Sequence, residues 1–315
     1  MSIDQATLAT AAARWGLNPL RIELIAQREN HTYRVFDHHG IAFALRLHRP
    51  GYNSISEIES ELDWMAFLAE SGMQVPRPLV SENGSHLVVI DKHLFSVNQW
   101  LSGEVMGRAG RPLQLENSDA VFFRLGETTA RLHNLTDQWQ PPDGFVRRAW
   151  DREGLLGESP VWDRFWENPL LDSPSRKILQ AARTKADRLL RQYHDQLDYG
   201  LIHADLIREN VMIDGDTIRI IDFDDCGFGY RLFELATILL KLKNEAHYHT
   251  YQRALLAGYR KHRDMDSGEL ELFLGLRSFT YVGWAITRLK EGDVARRCQN
   301  FIDEALVYAQ LILAR

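Results

Sequence analysis

Apolar and polar positions along this chain follow two periods, and the balance between them changes near residue 100. Before that point period-two runs dominate. Residues 32–36 and 41–48 alternate as strands around Asp37-His38-His39-Gly40, which predicts a hairpin. On the second of these, Ile41, Phe43, Leu45 and Leu47 share one face, while Ala42, Ala44 and Arg46 share the other. Two further strands are predicted at 86–91 and 94–99. An alanine-rich helix is predicted over 6–15, stopped by Gly16 and Pro19. A second helix is predicted over 54–71, with Ser54 and Glu57 at capping-box spacing and Gly72 at its end. Beyond residue 118 the 3.6-residue period takes over, with helices expected at 120–134, 173–193, 231–244, 247–262 and 269–290 and a last one reaching Arg315. One β-rich interruption, 201–223, lies inside this helical half. The expected architecture is α+β and bilobal: a small β-rich N-terminal lobe with one key helix, 1–98, then a larger, mainly helical lobe, 99–315.

Composition narrows the function classes. Against 37 Lys and Arg stand 43 Asp and Glu, a formal net charge of −6, so no basic balance points to nucleic acid or an anionic membrane. Two cysteines, Cys226 and Cys298, are too few for a disulfide framework and lack CxxC spacing. No apolar run approaches the ~20 residues a membrane helix needs. The first residues show no basic segment followed by an apolar core, so no signal peptide is expected. These readings lead to the expectation of a cytoplasmic protein without nucleic-acid or membrane partners.

Candidate chemistry concentrates in Leu201-Ile202-His203-Ala204-Asp205-Leu206-Ile207-Arg208-Glu209-Asn210 and in Ile220-Ile221-Asp222-Phe223-Asp224. Between them, Asp214-Gly215-Asp216 is a turn signal. If Ile213 faces Asp216 across that turn, Asp222 falls opposite Ile207, between Asp205 and Asn210. Two carboxylates and an amide then gather at one spot, an oxygen donor set suited to Mg²⁺. A carboxylate not needed by the metal is free to accept a hydroxyl proton. Asp214 and Asp216 read as ordinary turn residues, whereas Asp205 and Asp222 each follow an apolar pair. In the helix over 54–71, Glu61 interrupts the apolar stripe of Ile58, Met65 and Leu68, and Arg46 is the nearest candidate cation. Competing motifs fail: the chain has no GxxxxGK[ST], HExxH or GxSxG. Gly227-Phe228-Gly229 lacks the third Rossmann glycine, and an EF-hand starting at Asp222 would have Phe233 where Glu is required.

This arrangement resembles the aminoglycoside phosphotransferase and choline kinase superfamily, which has the protein-kinase-like fold, from about Glu29 to Arg288. HxDxxxxN appears as His203-Ala204-Asp205 through Asn210, and the metal-binding Asp of the DFG-like segment as Asp222. The resemblance implies Asp205 as catalytic base, Asn210 and Asp222 as Mg²⁺ ligands, and His203 and Asp224 as supporting residues. It also implies ATP binding by Arg46, in the place of the strand lysine, with Glu61 as its helix partner; Asn30, Val97 and Gln99 complete the expected nucleotide set. Trp100-Leu101-Ser102-Gly103-Glu104 looks like the segment after the interlobe hinge. The Gly-rich loop is replaced by Arg28-Glu29-Asn30-His31-Thr32-Tyr33, as in the homoserine-kinase-like and stress-response-kinase branches, which Trp150 to Leu155 and Trp162 also resemble. Glu234 stands where Asp is usual.

The leading expectation is therefore an ATP- and Mg²⁺-dependent kinase acting on a small hydroxylated molecule, such as homoserine or an amino alcohol. Arg277, Tyr281, Trp284 and Arg288 share one helical stripe. Asp151, Trp284 and Arg288 are the expected acceptor-binding residues. A serine/threonine protein kinase and a non-catalytic nucleotide-binding module are the alternatives.

Overall fold

The structure is a computed structural model and describes residues 3–19, 21–27 and 30–315. The chain begins α1 (Gln5–Ala13), β1 (Ile22–Gln27), β2 (His31–Phe36), β3 (Ala42–Leu47), α2 (Ile55–Glu70), β4 (Leu87–Ile90), β5 (His93–Gln99) and β6 (Glu104–Val105). It continues α3 (Ser118–Asp137), β7 (Ala149–Trp150), α4 (Arg152–Leu156), α5 (Ser173–Tyr193), β8 (Tyr199–Ile202), β9 (Val211–Asp214), β10 (Thr217–Ile220) and β11 (Gly227–Tyr230). It closes with α6 (Arg231–Leu240), α7 (Tyr248–Arg260), α8 (Leu270–Ile286) and α9 (Val294–Ala314). Two compact units emerge. The first comprises Met1–Glu104, Gln138–Arg147 and Met212–Asp224; the second comprises Val105–Asp137, Arg148–Val211 and Asp225–Arg315.

In the first unit an antiparallel sheet runs in the order β1-β2-β3-β5-β4. The β2–β3 hairpin closes because Asp37 Oδ1 accepts from the backbone N–H of His39 at 2.9 Å and of Ile41 at 2.8 Å. Ile41 itself lies before the strand and is exposed, so the apolar face starts at Phe43. Val35, Leu45, Phe95 and Val97 form a fully buried core, which Leu8, Ala11 and Ala12 of α1 cover. Arg46 is on the opposite face from Leu45 and Leu47 and is also buried. The α2 capping box forms as its spacing predicts: Ser54 Oγ accepts from Glu57 N at 3.2 Å, and Glu57 Oε2 accepts from Ser54 N at 2.8 Å. Ile58, Glu61, Met65 and Leu68 are all buried along the helix.

In the second unit all ten residues of α6 are buried, α8 lies against both α6 and α9, and α3 packs on α7. The helix expected over 231–244 ends earlier, at Leu240, with Lys241 as its cap; the one expected over 269–290 ends at Ile286. A short sheet orders β7-β11-β8, with β11 antiparallel to β8 and parallel to β7. In the segment Met212–Asp224, which belongs to the first unit, the turn at 214–216 joins β9 to β10 in a sheet of order β10-β9-β6. Among the described residues no helix is long and apolar enough to cross a membrane.

Candidate active site

In the second unit, strand β8 delivers the chain into the loop 203–210. Ala204 takes a left-handed φ of 65°, which costs a non-glycine residue energy and needs support from its surroundings. Glu234 of α6 supplies it, accepting from the backbone N–H of His203 at 2.6 Å and of Ala204 at 3.1 Å. Burial pushes the Glu234 carboxyl up to about 7, against the pull of those N–H groups and of Arg231 and Arg277. The buried His203 ring accepts from Asp205 N at 3.3 Å through Nδ1. Arg208 ties down the far end of the loop, bonding Glu245 at 2.9 Å and Arg111 O at 3.0 Å.

Asp205 is gripped from both sides. Its Oδ1 accepts from Arg277 Nη2 at 2.7 Å, and its Oδ2 accepts from Asn210 Nδ2 at 2.9 Å. Asn210 Nδ2 also donates to Asp205 O at 2.9 Å, so the amide oxygen is the Asn210 atom left for a cation. Arg277 is fully buried in an aromatic box, with its guanidinium carbon 4.8 Å from the Trp162 ring and 4.5 Å from the Tyr281 ring. The arrangement holds a proton acceptor at a fixed place and orientation.

A second charged centre lies in the first unit. Arg46 Nη1 bonds Glu61 Oε1 at 2.9 Å, Nη2 bonds Asp224 Oδ1, and Asp222 Oδ1 stands 3.9 Å from Nη2. Asn30 Nδ2 donates to Asp224 Oδ2, while Asn30 Oδ1 accepts from Arg49 N at 3.0 Å. Arg147 closes the cluster, donating to Asp224 O at 2.6 Å and standing 3.9 Å from Glu61 Oε2. Burial and Asp224 push Glu61 up to about 7, against Arg46 and Arg147. Burial would also raise Asp224, but Arg46, with His48 and Arg147, holds it below the ordinary carboxylate range. Asp222 has a left-handed φ of 69° and a side chain 40% exposed, which makes it the carboxylate of this centre that a solvent-borne ligand reaches.

Residues 21–269 match the model of the phosphotransferase enzyme family. The chain belongs to that family. This phosphotransferase also superposes on the structure of a microcompartment-associated aminopropanol kinase, with a TM-score of 0.84, 28% identity and coverage of 99% of this chain and 98% of that one. It is 24% identical to the amicoumacin kinase of Bacillus subtilis over 298 residues, which span 89% of this chain and 84% of that protein. It is 25% identical to the homoserine kinase of Agrobacterium fabrum over 233 residues, 72% of this chain and 67% of that one. Its fold is protein-kinase-like, as its motifs imply.

The other expected site residues of the phosphotransferase have the following places. The Val97 side chain is committed to the core, and Gln99, on the same strand, is exposed. Asp151 caps α4, with Oδ1 accepting from Gly154 N at 2.7 Å. Arg288 is stacked on Trp284 with 4.7 Å from its guanidinium carbon to the ring. Arg28 and Glu29 lie outside the described residues. Among the described residues no three His, Cys, Asp or Glu side chains are placed to hold a metal ion. Arg147 was not legible in the sequence, because its partners Glu61 and Asp224 stand far from it along the chain and no periodicity marks it.

Proposed function

We propose that this phosphotransferase moves the γ-phosphoryl group of ATP, with Mg²⁺, to a hydroxyl of a small molecule, either a hydroxylated amino acid such as homoserine or an amino alcohol. The observation that carries this reading is the carboxylate of Asp205, fixed by Arg277 and Asn210 on a loop that Glu234 anchors. The small-molecule kinases among its relatives support the acceptor class.

In this reading Asp205 takes the proton of the acceptor hydroxyl as the new O–P bond forms and the bond to the β-phosphate oxygen breaks, releasing ADP. Asn210 Oδ1 and the Asp222 carboxylate are the hard oxygen donors for the cation. A bound Mg²⁺ supplies charge neutralisation on the phosphates. Arg46, held by Glu61 and Asp224, presents its charge to the phosphates, and Asn30 fixes Asp224 in turn. The segments 1–98 and 99–315 divide the work as nucleotide-binding and catalytic lobes, with Val97 and Gln99 at the nucleotide. Asp151, Trp284 and Arg288 serve the acceptor.

Asp205→Asn tests the proposal. Turnover should fall by roughly 10²–10⁴, the usual contribution of a general base, while stabilisation by ATP persists. A loss of tenfold or less removes Asp205 from the role.

A further inference from the structure

Beside Asp205, in the second unit, stand buried N–H donors with no acceptor among the described residues. Among the described residues, Arg277 Nη1 and Nε are buried and without a hydrogen-bond partner, and so is Trp162 Nε1. The Trp162 ring is 4.8 Å from the Arg277 guanidinium carbon, so these orphaned donors are neighbours. Buried donors without acceptors are costly, and their grouping beside a reactive carboxylate points to a ligand that brings oxygen atoms.

A further cation stands on the same aromatic wall. Lys241, the cap of α6, holds its ammonium 3.6 Å from the centre of the Tyr281 ring and 4.6 Å from that of Phe301. Tyr281 and Phe301 are stacked with centroids 5.4 Å apart. Tyr281 OH accepts from Arg277 Nη2 at 3.1 Å, the same nitrogen that bonds Asp205. One ring therefore separates the Lys241 ammonium from the group that holds the base. The Lys241 ammonium makes no hydrogen bond or ion pair among the described residues, while its backbone caps α6 and its carbonyl accepts from Arg208. Burial pushes it down to about 8, with Arg277 and Arg297 adding to the shift and Glu304 and Asp205 opposing it. Arg297 lies against the other ring of the stack, 5.7 Å from the centre of Phe301. An ammonium that touches aromatic faces and feels Glu304 and Asp205 without a direct bond to either gains from an anion placed against it.

We infer that Lys241 receives an anionic oxygen group of the phosphate acceptor, a carboxylate, and so selects hydroxylated amino acids over amino alcohols. The inference rests on the proposed function and chooses within it. An acceptor whose hydroxyl faces Asp205 places its carboxylate at Lys241, against the Tyr281–Phe301 stack. Both kinds of acceptor carry an ammonium, but the amino alcohol has no carboxylate to offset it, so it brings a net positive charge to a wall already lined by Arg277, Lys241 and Arg297.

Matched pairs that differ only in the carboxylate test this. L-threonine against 1-amino-2-propanol, and L-homoserine against 3-amino-1-propanol, are offered to the full chain with ATP and Mg²⁺, and ADP release is measured. The carboxylate-bearing member should have the higher kcat/KM by roughly 10- to 100-fold, the range of one charge-assisted hydrogen bond. Lys241→Met should erase that preference chiefly through KM, and Lys241→Arg should restore most of it, which separates a binding role from loss of folding. Equal or better use of the amino alcohols overturns the inference and leaves the proposed function standing. Turnover of neither member, with ATP still stabilising the protein, overturns both. Lys241→Met with an unchanged KM for the preferred amino acid overturns the role of Lys241 alone.

Discussion

Glu234 brings both of its oxygens to backbone N–H groups of the Asp205 loop. Its carboxyl sits at about 7 when folded, above the ordinary 4.5. Between those values Glu234 holds more proton in the native state than in the unfolded chain, so its own contribution to stability is greatest below about pH 4.5 and declines as pH rises to about 7. The contribution is on the order of 3 kcal/mol across that window. Glu234→Gln should flatten the decline, and urea unfolding at a series of pH values from 4.5 to 7.5 checks it as the difference between the two proteins. An identical pH slope in both would place the shift elsewhere. Arg46 gives a second residue-scale expectation. Arg46→Met leaves Glu61 and Asp224 buried together without their shared cation, which should cost about 3–5 kcal/mol. Adding Glu61→Gln should recover part of the loss, because one uncompensated charge is gone. A loss below ~1 kcal/mol in the single variant would mean that Arg147 suffices for both acids.

At the scale of elements, α3 and α7 approach closely through glycines. A Cβ on Gly126 would lie 2.1 Å from Leu255 O and 2.7 Å from Tyr259 N. Helix propensity alone predicts that Gly126→Ala stabilises by up to ~1 kcal/mol. The packing predicts the opposite sign, a loss of about 1–3 kcal/mol as the helices are forced apart. Thermal unfolding of the variant decides between them. Elements whose burial follows a single period were legible in the sequence: α2 with its capping box, the β2–β3 hairpin and α5, whose predicted span 173–193 is the observed one. Strand β1 was not legible, because Leu24 and Ile25 are both exposed and a bulge between Leu24 and Ala26 breaks the alternation. Strand β11 is only Gly227–Tyr230, with glycines at two of its four positions, so its sequence carries a turn signal. The early end of α6 was hidden by Leu242, a buried residue that continues the apolar run beyond the helix.

Over the whole molecule, the parts of the candidate site that one stretch of chain carries were readable, and those assembled from distant segments were not. Asp205 and Asn210 stand in one loop, and the Arg46–Glu61 pair joins neighbouring elements. Arg147 reaches Asp224 across 77 residues and Arg277 reaches Asp205 across 72, so neither pairing has a local pattern. The first unit likewise gathers Gln138–Arg147 and Met212–Asp224 to its N-terminal segment, an association that periodicity does not encode. The central claim is transfer of phosphate to a small hydroxylated acceptor through Asp205. Incubation of the full chain with γ-labelled ATP, Mg²⁺ and the amino acid and amino alcohol panel tests it most directly. The account predicts label in a small soluble phosphomonoester, in proportion to ADP released, with the protein itself unlabelled and both products suppressed in Asp205→Asn. Label on the protein's own side chains, or undiminished transfer by Asp205→Asn, would contradict it.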